Sequence, residues 1–180
     1  MSKEINNESW LTVGIDIINR RIDLIGEVDE SMKSQLLRGL ITMNDINTNP
    51  ISIYLSSQGG DAYIGFGIYD LLRESLSNIH MYAHGTVMSA ASIIYLAGDK
   101  RFGSENVTFM LHGISFGSEG KVRDQEVDVL EGKRLNKMML DVISKRTKIN
   151  KKQAYRNIVS SGKDWYIALE EAKQLKIINS

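Results

Sequence analysis

Two hydrophobic periodicities alternate along the chain. Residues 51–55 alternate between apolar and polar side chains, the pattern of a strand, and lead into the glycine-rich turn 56–60. Residues 29–43 instead carry apolar side chains at helical spacing, with Asp29 in position to cap the first turn. Further strands are predicted within 15–25 and over 79–83, 100–102 and 107–111, and further helices over 62–76, 88–96, 122–145, 152–159 and 168–175. Strands that alternate with helices predict an α/β fold of stacked βαβ units.

Length, charge and cysteine content narrow the class of protein. A chain of 180 residues suffices for one domain with its own core, so 1–180 is predicted to be a single domain. Lys plus Arg and Asp plus Glu each total 22, so no basic excess points to a nucleic-acid partner. Cysteine is absent, which excludes a disulfide and a cysteine nucleophile, and 3 histidines are too few for most all-histidine metal sites.

The distribution of apolar residues also indicates the cellular compartment of the protein. No apolar run approaches the roughly 20 residues that span a bilayer, so no membrane partner is expected. Residues 1–8 are polar and lack the apolar region of a signal peptide, from which we expect a cytoplasmic protein. Residues 1–9 are predicted to form a mobile arm.

The residue types needed for nucleophilic acyl transfer stand at the ends of predicted elements. Ser89 lies where a strand turns into an apolar helix, close to backbone N–H groups that favour developing negative charge. His112 ends a strand, Asp164 lies between two C-terminal helices, and Gly59-Gly60 offers a backbone free of side chains. Each has a structural alternative: a helix cap for Ser89, a surface histidine for His112, and a cap or turn residue for Asp164.

The order and spacing of these motifs are more specific than any one of them. The succession is Ser57-Gln58-Gly59-Gly60 before a helix, Gly85-Thr86-Val87-Met88-Ser89-Ala90-Ala91, Met110-Leu111-His112 at a strand end, and Lys163-Asp164-Trp165-Tyr166 before Glu170-Glu171-Ala172. This succession resembles the Clp protease proteolytic subunit (ClpP) family, from about Arg20 to Ile178. The chain is identified as a divergent member.

The resemblance implies a mechanism. In the family pattern Ser89 is the nucleophile, His112 the general base and Asp164 the residue that orients the base. The backbone N–H groups of Gly60 and Ala90 match the oxyanion hole. No metal or other cofactor takes part in this chemistry.

The resemblance also implies a fold, an assembly and partners. The fold is a crotonase-like spiral of stacked ββα units with a protruding handle, a strand plus a long helix, over about 113–146. Heptameric rings stack through the handle and enclose the sites, so short peptides enter freely, whereas unfolded proteins are threaded in by an AAA+ unfoldase. Tyr54 matches a position in the family's docking pocket for that partner. An apolar stripe on the long helix agrees with a handle, although an ordinary core helix would show it too; its members are Val127, Leu130, Leu135, Met138, Met139 and Val142.

Departures from the family pattern fall around the site and the docking pocket. Gln58 replaces a proline, Gly113-Ile114 replaces Gln-Pro after the histidine, Lys163 replaces an arginine that links protomers, and Glu74 replaces an aromatic docking residue. We therefore expect an intact triad and altered partner binding.

Three alternatives remain at this point. An acyl-CoA enzyme of the crotonase superfold would share the architecture but would not need the Ser89, His112 and Asp164 set. A structural subunit of a mixed Clp ring would normally lack a triad residue. A latent subunit would keep the triad in an inactive geometry.

Overall fold

A mixed sheet organises the part of the chain that the structure, a computed structural model, describes: residues 13–115, 117 and 121–180. The strands are β1 (Ile15–Asp16), β2 (Arg21–Val28), β3 (Ile51–Gly60), β4 (Ile79–Met88), β5 (Lys100–Gly103), β6 (Thr108–Leu111) and β7 (Trp165–Ala168). Within the described residues the strand order is β1-β2-β3-β4-β6-β7, with β5 also paired to β4. Strands β2 to β6 run parallel, whereas β1 and β7 are antiparallel to their neighbours. The predicted arm of residues 1–9 lies outside the described residues.

The helices begin where the sequence supplies caps. The carboxylate of Asp29 accepts the N–H of Met32 at 2.8 Å, which confirms the predicted cap. The helices are α1 (Glu30–Ile46), α2 (Ala62–Arg73), α3 (Ala90–Tyr95), α4 (Val122–Arg146), α5 (Lys151–Ala154) and α6 (Leu169–Gln174), and a π-helical segment, Tyr155–Ser160, follows α5. In the described part of the chain, no helix combines the length and apolar character needed to cross a membrane.

The parallel register aligns apolar side chains of successive strands under the helices. Ile22, Ile53 and Met81 are register partners on β2, β3 and β4, and all three are fully buried. All six residues of α3 are buried as well, which confirms the predicted all-round burial of this helix. The core therefore lies directly behind the residue that precedes α3, Ser89.

Several predicted boundaries were wrong. Strands β3 and β4 do not end at 55 and 83 but continue to Gly60 and Met88. Bulges after Leu55 and Ile25 let the glycine-rich segment go on pairing, so that Val28 aligns with Gly60. The predicted helix 152–159 is divided between α5 and the π-helical segment, and β7 was not predicted at all.

Helix α4 is buried only in its C-terminal half. Leu135 and Met139 of the predicted stripe are buried and Met138 and Val142 half-buried, whereas Val127 and Leu130 are exposed. Leu130 is 65% exposed. The predicted strand of the handle falls on 113–120, of which 116 and 118–120 lie outside the described residues, and 113–115 and 117 form no strand.

Candidate active site

Ser89 stands at a sharp turn between β4 and α3. Its backbone has φ 53° and ψ −126°, a left-handed conformation that a non-glycine residue adopts only when its surroundings hold it there. Its N–H donates to the carbonyl of Met110 at 2.9 Å. The side chain occupies the cap position of α3 but makes no capping hydrogen bond, so the alternative role as a helix cap was wrong.

His112 meets Ser89 across the ends of two parallel strands. Met88 and Met110 are register partners on β4 and β6, so the residues that follow them emerge at the same edge of the sheet. The imidazole Nε2 lies 2.7 Å from the Ser89 Oγ. With Nε2 as the acceptor, a neutral imidazole is placed to take the hydroxyl proton.

Strand pairing brings Asp164 to the neighbourhood of His112. Strands β6 and β7 are antiparallel, and Leu111 is the register partner of Trp165. His112 and Asp164 are therefore the next residues beyond the last pair of this ladder. Asp164 is exposed, and among the described residues no hydrogen bond joins its carboxylate to the imidazole.

Glycine backbone packs directly against the serine. A Cβ added to Gly59 would lie 2.7 Å from the Ser89 Cβ, and Gly59 has φ +106°. The buried hydroxyl of Ser57 accepts the Gly59 N–H at 3.0 Å, a local bond that holds the turn although Gln58 stands in place of proline. Gly60 and Ala90, the predicted oxyanion residues, both line the cleft beside Ser89.

The cleft in front of Ser89 has apolar walls. Its volume is about 210 Å³, and α2 and α4 contribute Phe66, Leu135 and Met139. At the rim, the Tyr63 hydroxyl donates to Glu131 at 2.7 Å and ties α2 to α4. Hydrogen bonds from Arg134 and then Tyr63 lower the pKa of Glu131 to about 2, so this carboxylate stays ionised at neutral pH.

Asn136 is a residue of this site that sequence analysis missed. Its side-chain carbonyl accepts the N–H of Ile114 at 3.0 Å and so holds the segment directly after His112 against α4. A proline at position 114 would have no N–H to donate. The sequence offered only a weak signal for this bond: a residue other than proline at position 114 and an asparagine on the long helix. The bond can be predicted from these two residues only if the face of α4 that points inward is known.

Tyr54, the predicted docking residue, belongs to an aromatic row on one face of the sheet. The row is Tyr54, Tyr82 and Phe102, which are half-buried register partners on β3, β4 and β5. Ring centroids are 4.9 Å apart between Tyr54 and Tyr82 and 4.8 Å apart between Tyr82 and Phe102. The Arg21 guanidinium lies 4.6 Å from the Tyr54 centroid.

The fold and the site together define an α/β protein in which a serine hydroxyl lies within hydrogen-bond distance of an imidazole inside a cleft. This arrangement is found in serine-type hydrolases. Comparison with known proteins gives the family. The family model described as Clp protease matches residues 6–180, and the chain belongs to this family.

Relatives agree over most of the chain. It is 30% identical over 163 residues to the ATP-dependent Clp protease proteolytic subunit 2 of Treponema denticola, covering 89% of this chain and 80% of the relative. It is 28% identical over 167 residues to the ATP-dependent Clp protease proteolytic subunit of Deinococcus radiodurans, covering 91% and 80%. A solved structure of a ClpP1 mutant from Listeria monocytogenes matches with a TM-score of 0.82 at 25% identity, covering 91% of each chain. These matches confirm the predicted ClpP-type fold and a Clp peptidase family member.

Proposed function

We propose that the chain is a serine endopeptidase in which Ser89 is the nucleophile, His112 the general base and Asp164 the orienting acid. The observation that carries the proposal is the 2.7 Å contact between the Ser89 Oγ and the His112 Nε2 within the cleft. The conformation of Ser89 adds support, because strained backbone tends to occur where function requires a side chain to be held out.

The proposed reaction follows from these placements. The Ser89 Oγ attacks the substrate carbonyl while its proton passes to His112, and the backbone N–H groups of Gly60 and Ala90 stabilise the oxyanion. His112 then gives the proton to the leaving amine, which leaves an ester on Ser89. Water attacks the ester with His112 again as base, and the serine is restored. No metal or nucleotide takes part.

The walls of the cleft favour one class of side chain beside the scissile bond. Phe66, Leu135 and Met139 present apolar surface next to Ser89. Burial of an apolar side chain against them would be favourable by about 25 cal/mol per Å². We therefore propose that the enzyme prefers an apolar residue on the acyl side of the bond that is cut.

Asp164→Asn is expected to lower kcat for a short peptide about 10²-fold, with KM nearly unchanged. The loss is smaller than the roughly 10⁴-fold effect of a buried orienting aspartate, because an exposed carboxylate is screened by water. Steady-state kinetics measure it, with the exposed Glu171→Gln, which also removes one negative charge from the surface, as the control. Equal activity of Asp164→Asn and wild type would remove Asp164 from the mechanism.

The exposed half of α4 supports assembly into stacked heptameric rings that enclose the cleft. Leu130→Glu is expected to reduce ring-on-ring assembly, because it places a charge on apolar surface that the rings would bury. Light scattering gives the mass of each assembly. Ile41→Glu, on α1 and also exposed, is the control; loss of assembly in both variants to the same degree would count against a specific role of α4.

The aromatic row supports docking of an AAA+ unfoldase that would feed unfolded proteins to the enclosed sites. Three stacked, half-buried rings form a surface suited to an apolar peptide loop. Glu74 is exposed at the end of α2, so a partner would meet a charge there rather than a ring. The cytoplasmic location stays a prediction.

A fluorophosphonate probe with fluorogenic peptide turnover tests the proposal. We expect covalent labelling at Ser89, found by mass spectrometry, together with hydrolysis of short peptides without ATP. Heat-unfolded protein is the control for non-specific reaction. An assembled, folded protein that neither labels nor turns over would support a structural or latent subunit instead, which the lack of a hydrogen bond between the described residues Asp164 and His112 would explain.

A further inference from the structure

Ser92 is a buried hydroxyl on the helix that follows the nucleophile. It lies in α3, is 3% exposed, and has apolar helix neighbours on both sides. A hydroxyl in such surroundings must find a hydrogen-bond partner. The Ser92 Oγ lies 2.8 Å from the carbonyl oxygen of Val87 and 3.0 Å from that of Met110, and shares its single proton between them.

The two carbonyls belong to the strands that carry the proposed nucleophile and base. Val87 is two residues ahead of Ser89 on β4, and Met110 is two residues ahead of His112 on β6. The side chain of Ser92 therefore joins the ends of two neighbouring strands at the place where the strands deliver the reacting pair.

The backbone of Ser92 holds Ser89 as well. Its N–H donates to the Ser89 carbonyl at 3.0 Å, and Met110, its side-chain partner, accepts the Ser89 N–H at 2.9 Å. Ser89 is thus held at its carbonyl, at its N–H and through the strand that precedes it. These bonds are the surroundings that its left-handed conformation requires.

We infer that Ser92 is a positioning residue that sets the distance between Ser89 and His112, an inference that rests on the proposed peptidase function. Ser92 does not line the cleft, so it has no contact with a substrate; it lines a small cavity on the other side of α3, with Leu96 and Phe109. It acts only through backbone. Loss of its hydroxyl leaves the ends of β4 and β6 free to shift apart, which lengthens the path of the proton and slows acylation without weakening substrate binding.

The test compares Ser92→Ala and Ser92→Thr with Ser77→Ala. Ser77 is the matched control, because it is also 3% exposed and its hydroxyl also has two partners, Asn44 and Arg20. Ser77 precedes the start of β4, whereas Ser92 follows its end. For each variant kcat, KM, the rate of labelling by a fluorophosphonate, Tm and the mass of the assembly are measured.

Ser92→Ala is expected to lower kcat and the labelling rate about 10-fold, with KM within about twofold of wild type. Ser92→Thr, which keeps the hydroxyl, restores most of the rate. Ser77→Ala lowers Tm but leaves kcat and labelling unchanged. The inference is overturned if Ser92→Ala loses no more rate than Ser77→Ala, or if Ser92→Thr is no faster than Ser92→Ala.

Two further arms keep the test decisive. If Ser92→Ala does not assemble, Ser92→Cys replaces it, since a thiol fills similar space but is a weak donor, and wild-type kcat in that variant overturns the inference. If the wild-type protein shows neither labelling nor turnover, this result refutes the proposed function rather than the role of Ser92. In that case a crystal structure of Ser92→Ala tests the role of Ser92: a longer distance between Ser89 and His112 supports the inference, and an unchanged distance overturns it.

Discussion

Replacing Ser89 or His112 with alanine is expected to lower kcat for a short peptide by about 10⁵-fold or more, and replacing both is expected to cost little more than either alone. The physical reason is that the two side chains perform one step. In the proposed mechanism, the imidazole 2.7 Å from the hydroxyl removes the proton that otherwise keeps the oxygen a weak nucleophile. Without the serine there is no nucleophile for the base to activate, and without the base the hydroxyl remains protonated.

The double variant separates this mechanism from independent contributions. Two side chains that acted separately would show losses that multiply, whereas a unit shows a combined loss equal to the single ones. His84→Ala is the matched control, because His84 also lies on β4 but stacks on Tyr54 with ring centroids 5.6 Å apart and does not line the cleft. Peptide turnover and light scattering are measured for all four proteins. Losses that multiply, or an equal loss in His84→Ala, would contradict the proposed pair.

The elements that sequence analysis predicted well are those whose signals are local. Asp29 and the helical spacing after it define α1 without reference to any other part of the chain. The apolar run at 88–96 predicts a buried helix, because a helix with apolar side chains on all sides has no polar face to turn to water. The family resemblance then supplied the topology, which periodicity alone leaves open.

The elements that it missed depend on pairing between distant segments. The glycines at 59 and 60 predict a turn locally, but β2 pairs with them and extends β3. Strand β7 has only four residues and is defined by its neighbour β6. Asn136 and Ser92 were missed for the same reason, since the partners Ile114 and Met110 lie 22 and 18 residues away and the two roles follow only from the packing of α4 and α3.

The site was predicted more completely in its residues than in its geometry. Order and spacing selected Ser89, His112 and Asp164 together, and the structure brings the first two into contact. The position of Asp164 depends on how far the β6–β7 ladder extends beyond Leu111 and Trp165, which no local pattern specifies. The family match favours a peptidase over an acyl-CoA enzyme.

Gly59→Ala is expected to lower kcat by about 10³-fold, the second largest effect among these predictions. The new Cβ would lie 2.7 Å from the Ser89 Cβ and 3.0 Å from the Met88 carbonyl oxygen. Neither is the free end of a flexible side chain, so the strand end or the serine must move. Either movement breaks the contact between Ser89 and His112 or displaces the neighbouring Gly60 N–H from the position proposed for the oxyanion.

Gly26→Ala distinguishes this displacement from backbone strain. Gly26 has φ +105° against +106° for Gly59, but an added Cβ would meet no atom within 4 Å. Both variants therefore acquire a similar left-handed alanine, and both are expected to lower Tm. Only Gly59→Ala pushes on the nucleophile. If the two variants lost kcat equally, the loss would belong to strain in the sheet, and the close approach of Gly59 to Ser89 would have no part in catalysis.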